Sequence, residues 1–140
     1  PYQITRYQSK ISGPLLDRID LHLEVPRIPF EKLASIEEAE SSSQIRERIQ
    51  RARDMQENRF REHRISTNSE MGTPLIKKYC AVNEEGTRLL KSAVQQMNLS
   101  GRAFYRILKV ARTIADLGEN ADINLQHIAE AIQYRERRSD

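Results

Sequence analysis

Leu99-Ser100-Gly101-Arg102-Ala103-Phe104-Tyr105-Arg106-Ile107-Leu108-Lys109-Val110-Ala111-Arg112-Thr113-Ile114-Ala115-Asp116-Leu117 decides the fold of this 140-residue chain. Phe104, Ile107, Leu108, Ala111, Ile114 and Ala115 recur at helical spacing, so they form one apolar face. Ser100 supplies a side-chain oxygen where the helix starts, and Gly118 follows where it ends. Arg102, Arg106, Lys109, Thr113 and Asp116 fall on the opposite face. A helix this amphipathic must bury its stripe against other elements.

The flanking sequence offers more helices. Ile45, Ile49, Ala52, Met55 and Phe60 mark a stripe in a helix expected from Ser43 to about His63. Thr73-Pro74 opens a short helix reaching about Val82. Asn83, followed by Glu84 and Glu85, starts another, with Leu89, Leu90, Ala93 and Met97 inside. Asp122 or Asn124 begins a last helix, which buries Leu125, Ile128, Ala131 and Ile132 and ends in Arg135-Glu136-Arg137-Arg138. Short connections between such helices predict an antiparallel bundle.

The first quarter of the chain differs. Ser12 and Pro14 suit a short helix start, and Leu21-His22-Leu23-Glu24-Val25 alternates as a strand does before Pro26 and Pro29 stop it. A five-residue strand needs a sheet to join. Its partners are therefore expected upstream of Pro1, and the polar start at Pro1 reads as a piece of a longer protein. Residues 30–42, acidic and then serine-rich, form a connector.

Composition narrows the class. Charged residues make up 31% and hydrophobic residues 38%, which suits a small-cored helical domain. No window approaches the roughly 20 apolar residues of a membrane span, and no signal peptide opens the chain. A cytoplasmic protein with no membrane partner is expected. The net charge of +3 leans weakly towards polyanions. Cys80, the single cysteine, excludes an internal disulfide and reads as a buried small hydrophobe. His22, His63 and His127 show no ligand spacing, so no metal site is expected.

Two segments, Ile11-Ser12-Gly13-Pro14-Leu15-Leu16-Asp17-Arg18-Ile19-Asp20-Leu21-His22-Leu23-Glu24-Val25-Pro26 and the helix quoted first, are also recognisable. Together with Ile45-Arg46-Glu47-Arg48, Ala52-Arg53 and Ala129-Glu130-Ala131-Ile132-Gln133-Tyr134-Arg135, they resemble the magnesium-chelatase-like AAA+ ATPases of the ComM/YifB family. The resemblance implies a mainly α fold: a helical-bundle AAA+ lid domain preceded by the last short helix and strand of the α/β ATPase core. Residues 1–27 would be the core remnant, 28–42 the connector and 43–140 the lid. It also implies ATP and Mg²⁺ in the full-length protein, a ring homo-oligomer, a hexamer, and DNA as a partner. No glycine-rich loop with Lys-Ser/Thr is present, so the segment alone, lacking Walker A and B, is expected to bind no cofactor and hydrolyse nothing.

The resemblance assigns roles to two arginines, and a third shares a face with one of them. Arg18, in Leu15-Leu16-Asp17-Arg18, resembles the arginine finger that reaches the γ-phosphate on the next subunit. The bare chemistry equally permits a salt bridge to Asp17, Asp20 or an upstream acid. Arg102, in Ser100-Gly101-Arg102, resembles sensor 2, which contacts the γ-phosphate of ATP on its own subunit. A solvated first-turn arginine is the plain alternative. Arg106 shares the Arg102 face with Lys109 and extends a nucleotide-facing or DNA-facing stripe, unless that face is simply wet. Three functions follow: a DNA branch-migration helicase in homologous recombination and natural transformation, the ATPase subunit of a magnesium chelatase, or a non-enzymatic helical interaction module.

Overall fold

A computed structural model describes Leu15, residues 18–30 and residues 39–135. Five α-helices follow in order: α1 Ser42–Phe60, α2 Thr73–Tyr79, α3 Glu84–Gln96, α4 Gly101–Leu117 and α5 Leu125–Gln133, with a 3₁₀ turn at Asn68–Glu70 between the first two. The fold is mainly helical, as expected of a lid domain. None of the described helices is long and apolar enough to cross a membrane.

The caps explain the boundaries. Ser100 Oγ accepts from Ala103 N at 3.1 Å, Asn83 Oδ1 from Gly86 N at 2.9 Å, and Asn124 Oδ1 from Gln126 N and His127 N. Each bond satisfies a first-turn donor that the helix cannot. α1 starts before the expected Ser43 because Ser41 and Gln44 form a reciprocal capping box. α2 stops at Tyr79, short of the expected Val82, and Val82 instead forms an isolated parallel bridge with Ile123. That bridge places the α3 and α5 starts side by side. Gly86 sits in the crevice, where an added Cβ would lie 2.4 Å from Val82 Cγ1.

α4 is the central rod. Its Ala103, Ile107, Leu108, Ala111 and Ala115 are buried, with Phe104 and Ile114 packed at the margin. Phe60, Met71, Ile76, Cys80, Leu90, Ile123 and Ile128 close around it. The expected stripes of α3 and α5 hold in part: Leu90, Ala93, Ile128 and Ala131 are buried, but Leu125 is exposed.

Two expectations are corrected. α1 buries only its C-terminal half, through Ala52, Gln56 and Phe60, while Ile45 and Ile49 are exposed because the bundle ends beneath them. The far face of α4 is not uniformly wet: Asp116 is fully buried where α1 and the 3₁₀ turn pack over it.

The helix expected from Ser12 lies largely outside the described residues, although Leu15 is helical. The strand expected at 21–25 is not formed, since residues 21–29 carry no regular secondary structure. Leu21, Leu23 and Val25 are exposed, Val25 at 86%. An alternating segment without neighbouring strands has no ladder to complete and no face to bury.

Candidate functional site

Arg102 occupies the first turn of α4, where the free N–H groups and the helix dipole favour an anion. That turn contains no acidic residue. The Arg102 side chain is exposed and makes no ion pair with the described residues. Gly101 beside it faces open space. The cation is therefore solvent-facing at a helix end already suited to phosphate.

Arg18 is also exposed. Its backbone N–H donates to Leu15 O at 3.0 Å, and its side chain makes no ion pair with the described residues. Asp17 lies outside them. Asp20, the other acid offered to Arg18 by local chemistry, is taken by Arg106, which donates to its carboxylate through Nη1.

Arg106 is thus half-buried and engaged. Lys109, the other extension of that face, donates to Ser69 O at 2.7 Å. Burial lowers the Lys109 pKa, Arg106 nearby adds to that, and Asp20 opposes it. The stripe running from Arg102 therefore divides: its first cation is open, and the next two are tied to protein groups.

The Arg106–Asp20 pair joins the segment just past Arg18 to the helix turn just past Arg102. Two further bonds hold the same segment: Arg135 Nη1 donates to Ile19 O at 2.6 Å, and His22 N donates to Tyr134 O at 2.8 Å. Residues 19–22 consequently lie against α4 and the end of α5.

Two of the exposed arginines of α1 are paired. Arg48 pairs with Glu40 at 2.7 Å, and Arg51 pairs with Glu119 at 2.7 Å. Arg59 turns inward altogether, and that motif was missed by sequence reading. Its guanidinium donates to both oxygens of Asp116 at 2.8 and 2.5 Å. Arg112 Nε reaches the same carboxylate at 3.1 Å, and Asn68 Nδ2 at 2.8 Å. Arg112 also donates to Asn120 O and Ala121 O, holding the α4–α5 loop. Two cations on one buried anion, with an amide bridging to the 3₁₀ turn, form a structural clamp. Its signal was present: Arg112 and Asp116 are spaced i,i+4, with Arg112 at the edge of the apolar arc beside Leu108.

An apolar cavity of about 650 Å³ opens among α2, α3 and the start of α4, lined by Cys80, Leu90, Val94, Leu99 and Phe104 and reaching Ser100 and Gly101. Cys80 is buried as expected, and desolvation pushes its thiol pKa up to about 11. His63 Nε2 lies 3.2 Å from Tyr79 Oη, and His127 Nδ1 accepts from Asn124 N at 3.2 Å. Both histidines serve local structure.

Comparison with known proteins places the chain in a family. The family model for the C-terminal part of magnesium chelatase subunit ChlI matches residues 39–135, and the family model for magnesium chelatase subunit ChlI matches residues 1–33. The chain is 40% identical over 136 residues to competence protein ComM of Haemophilus influenzae. It is 38% identical over 136 residues to YifB of Escherichia coli and to YifB of Salmonella typhimurium. In all three, the alignment covers 96% of this chain but 26% of the relative.

Proposed function

The chain belongs to the magnesium-chelatase-like family that includes ComM and YifB, and from that premise we propose that it is the lid-bearing part of an AAA+ ATPase acting on branched DNA. The observation that carries this reading is the place of Arg102, exposed in the acid-free first turn of α4 and without an ion pair among the described residues, with Arg18 likewise exposed just ahead of the Asp20–Arg106 pair. An exposed arginine beside a helix N-terminus costs nothing to redirect towards phosphate.

In the proposed mechanism, ATP and Mg²⁺ would be held by the Walker half of the full-length protein, where the metal would neutralise charge on the phosphates. The nucleotide supplies the phosphoryl group to be transferred. Arg102 contacts the γ-phosphate on its own subunit, and its planar fork binds two oxygens at once. Arg18 reaches the γ-phosphate held by the neighbouring subunit and stabilises charge in the transition state, an effect worth about 10³–10⁵ in rate for such fingers. A finger requires a neighbour, so the active form is a cytoplasmic ring, taken as a hexamer.

DNA as the track rests on the likeness to ComM, whose name marks it as a competence protein. Branch migration in recombination and transformation is the form of DNA work proposed. Steady-state ATPase of the full-length protein with and without forked DNA tests it. Stimulation is expected. Turnover indifferent to DNA would overturn the helicase reading and favour the second one, a chelatase ATPase, which the ChlI family models support.

A further inference from the structure

Among the described residues, a side-chain pair and two bonds to its backbone hold residues 19–22 to the bundle, and they are not equivalent. The bonds from Arg135 to Ile19 O and from His22 N to Tyr134 O use the backbone of the segment. They hold its backbone to the end of α5. Among the hydrogen bonds of the described residues, the Asp20–Arg106 pair joins two side chains and lands on α4. Arg106 follows Arg102 by one helical turn on the same face. Asp20 follows Arg18 by two residues.

α4 is suited to transmit displacement. Its apolar face is packed against the core, and Asp116 ties its far end to α1 through Arg59. A push at its N-terminus therefore moves a rigid rod rather than bending one turn. Arg106 sits one turn along that rod, with its charge committed to Asp20.

Resting on the reading of Arg18 and Arg102 above, we infer that Asp20 and Arg106 are positioning residues whose ion pair couples the α4 helix to the finger. When the γ-phosphate leaves, Arg102 and α4 shift together. The pair carries that shift to Arg18, which is offered to the neighbouring subunit. Each subunit thereby reports its own nucleotide state to the next site around the ring. Arg106 in this role does not touch nucleotide, which separates it from the nucleotide-facing stripe considered from sequence.

The test uses the full-length protein and steady-state ATPase with varied ATP. Asp20→Ala and Arg106→Ala are each expected to lower kcat about tenfold, on the scale of small misplacements of a reacting group, with KM for ATP unchanged. The charge swap, Asp20→Arg with Arg106→Asp, is expected to recover most of that loss. Asp20→Asn, which preserves shape at a partly exposed position, gives the same kcat defect if the swapped protein misfolds. The inference is overturned if Asp20→Asn and Asp20→Ala turn over at the wild-type rate. It is overturned equally if Arg106→Ala raises KM while kcat holds, because Arg106 then binds the nucleotide itself. Arg18→Ala in the same assay separates the two levels. A wild-type rate for Arg18→Ala ends the finger reading, whereas its inactivity beside full-rate Asp20 variants ends only the coupling.

Discussion

Replacing Asp116 by Asn should unfold this domain more readily than any single surface change. The carboxylate is fully buried and accepts four hydrogen bonds, two from Arg59, one from Arg112 and one from Asn68. Asparagine keeps the shape, but it offers one acceptor and turns an amide donor towards guanidiniums that only donate. The two arginine side chains are 12% and 3% exposed, so water cannot take over. Breaking one partner of a buried ion pair typically costs about 3–5 kcal/mol. At about 4–8 °C per kcal/mol for a domain this size, the midpoint should fall by about 12 °C or more. The exposed Arg48–Glu40 pair provides the control, since Glu40→Gln removes an interaction worth about 0.2–1 kcal/mol. Thermal unfolding followed by far-ultraviolet circular dichroism measures both variants. An Asp116→Asn midpoint within about 2 °C of wild type would refute the clamp as a stabilising centre.

Other outcomes follow from the same geometry. Gly86→Ala gains about 1 kcal/mol of helix propensity but drives a Cβ against the stiff Val82 side chain, an overpacking that costs about 1–3 kcal/mol. Denaturant titration should show a net loss. Cys80 should react slowly with a thiol reagent in the folded protein, because burial suppresses its thiolate, and rapidly once urea unfolds the domain. Equal rates in both states would contradict its placement. Burial chiefly, and then Arg112, lower the His127 pKa, against the opposing pull of Glu130. Below the unfolded value of about 6.5, the unfolded chain takes up a proton that folded His127 resists. Its contribution to stability is therefore full above that pH and lost on acidification. Unfolding midpoints of His127→Gln should vary less than wild type between about pH 7.5 and pH 5.5. Identical slopes would rule His127 out as the titrating group.

The helices were legible because their signals are local. Ser100, Asn83 and Asn124 are short polar side chains that can bond first-turn N–H groups, and each is followed by an apolar stripe at helical spacing. The α4 stripe appears in the core as it does in the sequence. What escaped depends on which elements meet. Arg59 lies 57 residues from Asp116, so nothing local marks it as inward-facing among the arginines of α1. Ile45 and Ile49 continue a valid amphipathic pattern, but the bundle is too short to cover them. Leu21, Leu23 and Val25 alternate as a strand should, yet pairing belongs to neighbours that the described residues do not contain. The openness of Arg18 and Arg102, and the engagement of Arg106, are likewise properties of tertiary contacts.

The central claim is that this chain lends a cation to its neighbour's nucleotide, and subunit mixing tests it most directly. Full-length Arg18→Ala and a Walker A lysine variant should each be inactive alone. Mixed in equal amounts, they should regain ATPase at roughly one interface in four, where an intact nucleotide site meets an intact Arg18 from the next subunit. A mixture as inactive as its components, in rings shown to contain both subunits, would contradict the account.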